Sequence, residues 1–328
     1  MNLIRSGLEL LSPGGAGGKL SILIFHRVLP QPDPLYPDEM HAARFDELCG
    51  WLSAWFNVLP LDQAVDALQR GRLPPRALAI TFDDGYADNA EVALPLLQRH
   101  RLPATFFVAT GFLDGGIMWN DVIVESIRRC PHERVELPAV DGVSLGEWAL
   151  SDGVRRRAAI RHTIDRVKYL PVSQRLEVVQ ALAQACSAAV PRDLMMSSAQ
   201  VRRLVDGGMT VGGHTVSHPI LARTDDATAR REIADGRERL RAITGTAVDL
   251  FAYPNGKPGA DYGPVAVDTV RSLGFRAAVS TSWGWADAGT DRFQLPRFTP
   301  WDQKKWAFGL RMAANLRRRP EMMERAAA

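Results

Sequence analysis

Six short apolar runs, at 20–25, 78–82, 104–109, 209–213, 250–253 and 276–280, punctuate the chain, with helix-patterned stretches between most of them. Residues 43–56 set Phe45, Leu48, Cys49, Leu52 and Trp55 or Phe56 at helical spacing, and 227–243 repeats the pattern with charges outside. That alternation is the signature of parallel βα units, so the expected fold class is α/β. With 328 residues and 46% hydrophobic content, the chain can bury a full core in one main domain.

The ends of two runs carry chemistry. Ala79-Ile80-Thr81-Phe82-Asp83-Asp84-Gly85-Tyr86 drives an apolar strand into adjacent carboxylates, and Val211-Gly212-Gly213-His214-Thr215-Val216-Ser217-His218-Pro219 ends in histidines four positions apart. Catalytic zinc-type sites commonly use three nitrogen or oxygen ligands and leave a fourth position for water. Asp84, His214 and His218 would supply that set. Successive residues of an extended segment point to opposite faces, so Asp83 and Asp84 need the turn that Gly85 permits if both are to enter one pocket. One carboxylate can then bind metal while the other handles protons. Active sites of parallel α/β folds are built at the carboxyl ends of the strands, where both motifs fall.

At these residues the chain resembles the polysaccharide deacetylase family, the NodB-homology carbohydrate esterases of family 4. The family's first motif, Thr-Phe-Asp-Asp-Gly, stands at 81–85, and its second, His-Ser/Thr-x-x-His, at 214–218. The resemblance implies Asp83 as catalytic base and Asp84, His214 and His218 as metal ligands. It also implies a distorted (β/α) barrel of about seven strands, with a divalent metal. Zinc is expected, although cobalt, nickel or iron suit an Asp and two His nearly alike. The third motif is similar to Phe251-Ala252-Tyr253-Pro254-Asn255-Gly256, placing Tyr253 and Pro254 at the substrate and the Tyr253 N–H on the oxyanion.

Two departures leave roles open. Many members orient the base with an arginine at the start of motif three, where this chain has Phe251-Ala252. Many place a histidine after a leucine in the last motif, where this chain reads Leu295-Pro296-Arg297-Phe298. A guanidinium is a poor proton donor, yet Arg297 can pair with a carboxylate or stabilise negative charge. The general acid is then His26, at the end of the first run, or the protonated base itself. Trp119 and Trp285 are candidates to stack on sugar rings, and Asp121 is a candidate cap for the helix after Trp119.

The expected organisation is an N-terminal segment 1–19, a deacetylase domain 20–300 and a tail 301–328. The domain is interrupted at 112–196 by a helical insertion whose helices are read at 154–169 and 173–190. The tail sets Lys304, Lys305, Arg311, Arg317, Arg318 and Arg319 around Trp306, Phe308, Leu310 and Leu316, a pattern compatible with weak membrane-surface contact. The net charge is only +3, and no nucleic-acid partner is expected. Residues 1–19 lack the apolar core of a secretory signal. Cys49, Cys130 and Cys186 form no metal motif and no even disulfide set, so the expectation is a cytoplasmic protein, peripheral to the inner membrane face at most.

The expected function is a metal-dependent hydrolase that removes N-acetyl groups from an amino-sugar polysaccharide, oligosaccharide or lipid-linked precursor in surface-polysaccharide synthesis. Two alternatives stay open: hydrolysis of a small amide or an O-acetyl ester on the same fold, and a catalytically silent glycan-binding module.

Overall fold

The computed structural model describes residues 3–137, 139 and 142–322. Residues 1 and 2 of the expected N-terminal segment and 323–328 of the expected tail therefore lie outside the described residues. The chain forms two compact units, a main one of Met1–Gln31, Met40–Leu113 and Met196–Ala328, and an inserted one of Pro32–Glu39 and Asp114–Met195. In chain order the strands are β1 (Leu20–Phe25), β2 (Asn57–Val58), β3 (Ala77–Phe82), β4 (Thr105–Val108), β5 (Arg134–Leu137), β6 (Gly146–Ala149), β7 (Thr210–Gly213), β8 (Leu250–Ala252) and β9 (Ala277–Val279). β5 and β6 belong to the inserted unit.

The main unit carries a seven-stranded sheet in the order β1-β3-β4-β7-β8-β9, with β2 pairing beside the start of β3. Every pair in it is parallel, as the βα alternation requires. The sheet curls into a half-barrel surrounded by helices. Residues 295–298 then bridge its two ends, because Leu295 pairs with Val279 of β9 and Phe298 pairs with Leu23 of β1. The sequence reading singled out this segment as a motif but not as a pairing one, because a proline interrupts its apolar run.

Period-two alternation separates the faces of the sheet. Leu20, Ile22, Ala77, Ala79, Phe107, Leu250, Ala252, Ala277, Val279 and Leu295 share one buried cluster on the inner face. Leu23, Phe25, Leu78, Ile80, Phe82, Phe106 and Val108 pack outward, against Phe45, Leu48, Cys49, Leu52 and Trp55 of helix Ala42–Trp55. Burying each such side chain contributes roughly 1.5–3 kcal/mol. Helix Asp226–Thr244 is held at both ends, by the Asp225 carboxylate on the Thr228 N–H and by Gly245 in the left-handed region.

Other elements differ from expectation. Residues 3–11 form a helix whose Leu8 is buried, and it packs on helix Lys305–Asn315 of the tail. The inserted unit holds helices Trp119–Arg129, Gly153–Val167 and Val172–Ala185, together with the antiparallel hairpin β5–β6, where only helices were expected. Asp121 does not cap its helix: Met118 is the residue at the cap, and Asp121 sits buried in the first turn.

Candidate functional site

Ala77, Ala79, Thr81 and Asp83 follow one another on the inner face of β3, so the first carboxylate arrives inside the barrel by alternation alone. Asp84 would then point outward. Its φ of +74°, followed by Gly85 at +95°, turns the chain and brings the second carboxylate in as well. A side chain at Gly85 would meet Val108 Cγ1 at 2.9 Å, so only glycine fits the turn. Both carboxylates are buried.

β7 delivers the histidines in the same way. Gly212 faces inward, where a Cβ would collide with the Phe107 ring at 2.5 Å, and His214 follows it on that face. Thr215 and His218 both take positive φ, at +67° and +53°, and the Thr215 hydroxyl accepts the His218 N–H at 3.1 Å. Non-glycine residues in this region cost of order 1–3 kcal/mol each and persist where surrounding structure enforces them. Here the Glu232 carboxylate enforces the turn, accepting from Val216 N at 2.9 Å, Ser217 N at 2.8 Å and Ser217 Oγ at 2.7 Å. Glu232 was missed by the sequence reading, since a glutamate on a charged helix carries no local signal of what it clamps.

The three expected ligands converge. Asp84 Oδ1 lies 3.4 Å from Nε2 of both His214 and His218, and the donor atoms all fall within 4.8 Å of one another. A tetrahedral site with bonds of about 2.05 Å has edges of about 3.35 Å, which the two Asp84–histidine distances match, and the carboxylate and imidazole donors suit a divalent ion. The Ala252 carbonyl accepts from His214 Nδ1 at 2.7 Å, which leaves Nε2 as the ligating nitrogen. Burial pushes His218 down to about 4, so it is neutral and ready to ligate at physiological pH. Burial works against ionisation of Asp84 as well, but His214 and His218 outweigh it and hold the carboxylate below its usual range.

Asp83 has a different partner. Arg297, fully buried, donates from Nη1 to Asp83 Oδ1 at 2.6 Å and from Nη2 to Oδ2 at 2.7 Å. Its Nε donates to Ser280 O at 2.8 Å and Nη1 also reaches Thr81 Oγ1 at 3.2 Å, so the guanidinium is fixed on several sides. Burial favours the neutral acid, yet the Arg297 guanidinium, and then His214, hold Asp83 below its usual range. Arg297 thus reaches Asp83 from the segment that bridges the sheet ends, while Phe251-Ala252 offers no charged side chain for it.

The remaining candidates separate. His26 is exposed at the end of β1 and close enough to act electrostatically on Asp83, Asp84 and His218. Tyr253 and Pro254, expected at the substrate, are buried. The Tyr253 hydroxyl donates to Phe293 O at 3.0 Å, its ring stacks on Tyr262 at 3.9 Å, and its backbone N–H donates to Val279 O at 3.3 Å. The expected place of Trp285 is corrected. Its neighbour Ala286 pairs with Leu20 at the start of β1, five residues and about 16 Å of strand from Phe25 at the site end, and Lys19 Nζ lies 4.2 Å over the Trp285 ring. Trp119 packs in the core of the inserted unit with the Arg175 guanidinium 4.8 Å over its ring.

Comparison with known sequences matches residues 70–145 and 171–278, more than half of the chain, to the family described as Polysaccharide deacetylase. The chain belongs to the polysaccharide deacetylase family. It is 28% identical over 92 residues to YxkH of Bacillus subtilis strain 168, which carries the same family name; that match covers 27% of this chain and about a third, 32%, of the relative. Among solved structures, the deacetylase PplD of Streptococcus pyogenes, determined in complex with acetate, superposes with a TM-score of 0.57 at 18% identity, covering 86% of this chain and 92% of that one. IcaB of Ammonifex degensii gives 0.56 at 19% identity over 91% and 98%, and a de-N-acetylase of Aggregatibacter actinomycetemcomitans 0.54 at 16% over 85% and 94%. These structures share the (β/α) barrel fold. Members of the family are metal-dependent, and Asp84, His214 and His218 are the residues here that fit such an ion.

Proposed function

We propose that this chain is a metal-dependent N-deacetylase acting on an amino-sugar polysaccharide, oligosaccharide or lipid-linked precursor in surface-polysaccharide synthesis. The observation that carries the reading is an aspartate held by a buried guanidinium directly beside an Asp-His-His donor set. Asp84, His214 and His218 would hold the ion, with zinc the first choice among divalent metals that suit these donors. When bound, such an ion lowers the pKa of water from about 15.7 to about 7 and polarises a carbonyl.

Asp83 takes the proton of the attacking water as the new carbon–oxygen bond forms at the acetamide carbonyl. Arg297 keeps both Asp83 oxygens in place, so the base enters the reaction already oriented. The carbon–nitrogen bond then breaks, acetate departs, and the amine nitrogen receives a proton. Exposed His26 is one donor near the site, and protonated Asp83 is the other; Arg297 is committed to Asp83 and to Ser280 O. The intact base also favours an enzyme over a silent glycan-binding module, which would have no use for it.

Acetate release from N-acetylhexosamine oligomers and extracted glycolipids tests the reading. Asp83→Asn is expected to keep its metal and lose roughly 10²–10⁴ in turnover. Equal turnover in the variant would remove Asp83 as base, and release from none of the substrates would remove the glycan assignment.

A further inference from the structure

Helix Lys305–Asn315 buries Phe308, Met312 and Asn315 against the main core, and Leu316 follows them inward. The Asn315 amide donates to Gly284 O at 2.9 Å, and at Gly309 a Cβ would meet Ile4 Cγ2 at 2.8 Å, so the helix is pressed closely onto its neighbours. Its outer face nevertheless carries large apolar side chains. Trp306 and Leu310, four residues apart and hence on one face, are 59% and 62% exposed, and Trp301 just before the helix is 61% exposed.

Charge is concentrated around that face. Residues 301–319 hold six cations, Lys304, Lys305, Arg311, Arg317, Arg318 and Arg319, against the single acid Asp302. That is a net +5, whereas the whole chain carries +3, so the rest of the chain is net negative. Asp302 is already engaged by Arg311, at 2.6 and 3.0 Å. Lys304, Lys305, Arg317, Arg318 and Arg319 are all exposed.

We infer that this face docks the protein on an anionic phospholipid bilayer, with Trp306 and Leu310 entering the headgroup boundary and the flanking cations meeting lipid phosphates. Amphipathic membrane-surface helices combine Trp or Leu with Lys and Arg in this way, and tryptophan rings settle at the headgroup level. A protein partner would need an acidic groove shaped around two indoles, whereas an anionic bilayer supplies both the apolar depth and the opposing charge. No helix among the described residues is long and apolar enough to cross a membrane, so the contact is a surface one. The inference stands apart from the substrate assignment, because it rests on a different surface.

Co-sedimentation of the full chain with phosphatidylcholine vesicles, with and without phosphatidylglycerol, tests it. Binding is expected only with phosphatidylglycerol and weakens as salt is raised. Lys304→Ala with Lys305→Ala is expected to bind on the order of tenfold more weakly, and Trp306→Ala with Leu310→Ala to lose binding, each with an unchanged melting curve. Absence of binding by the unaltered chain, or equal binding by the Trp306/Leu310 variant, would overturn the inference. So would a dimer in sedimentation equilibrium that the same variant dissociates, since the face would then serve a second copy of the chain.

Discussion

Arg297 grips both carboxylate oxygens of Asp83, at 2.6 and 2.7 Å, from 214 residues further along the chain. The pair is enclosed, with neither side chain more than 4% exposed. Removing one member of a buried ion pair leaves the other charge uncompensated, at a cost of about 3–5 kcal/mol. Arg297→Ala is therefore expected to lower the melting temperature markedly and to reduce kcat on the order of 10²-fold through a misplaced base. Arg297→Lys restores the charge but not the two-point grip, so it should recover stability better than kcat. A lysine variant with full kcat would show that charge alone, not orientation, is what Asp83 requires.

The donor spacing around Asp84 predicts a metal dependence readable without any substrate. Adding zinc to chelator-treated protein is expected to raise its melting temperature, by the equivalent of about 2.7 kcal/mol when metal stands at 100 times Kd. His214→Ala removes one donor and its anchor on the Ala252 carbonyl, so its melting temperature should not respond to zinc. A full response in that variant would place the ion elsewhere.

What could be read from the sequence divides by distance along the chain. Asp83-Asp84-Gly85 and His214 to His218 are local motifs at strand ends: alternation along β3 and β7 carries Asp83 and His214 into the barrel, and positive-φ turns at Asp84-Gly85 and at Thr215 and His218 bring in the other two ligands. Asp83 and Arg297 are a different case, because their meeting depends on residues 295–298 bridging β9 and β1, a closure no local pattern announces. The same lack of register misled the reading of Trp285, whose place follows from Ala286 pairing with the far end of β1. Tyr253 was placed at the substrate by the resemblance of its motif, which says nothing of Tyr262 and Phe293, distant residues that enclose its side chain.

Glu232 supplies three acceptor contacts to the turn that aims His218, and none to the ligands themselves. Such indirect support typically governs metal affinity by about 10–100-fold. Glu232→Ala should therefore bind zinc more weakly by that factor in a calorimetric titration, beyond the lowering of the metal-free melting temperature that loss of the three contacts brings. Unchanged affinity would mean that Thr215 and the strand end hold the turn unaided.

The buried thiols give a separate reading of each unit. Burial pushes Cys49, in the main core, and Cys186, in the inserted unit, up to about 12, and the thiolate is the species that reacts. Against an unperturbed thiol near 8.5, that shift leaves little of the reactive thiolate at pH 8. Burial adds to the effect by admitting reagent only when the surrounding elements open. Because Cys49 packs with Phe45 and Leu52 while Cys186 packs with Val178 and Leu182, each thiol reports the opening of its own unit. Peptide mapping after iodoacetamide treatment should find both sites unmodified in native protein and both modified in guanidinium chloride. Native-state labelling of Cys186 without Cys49 would show that the inserted unit opens independently of the barrel, whereas equal slow rates would show the two units unfolding together.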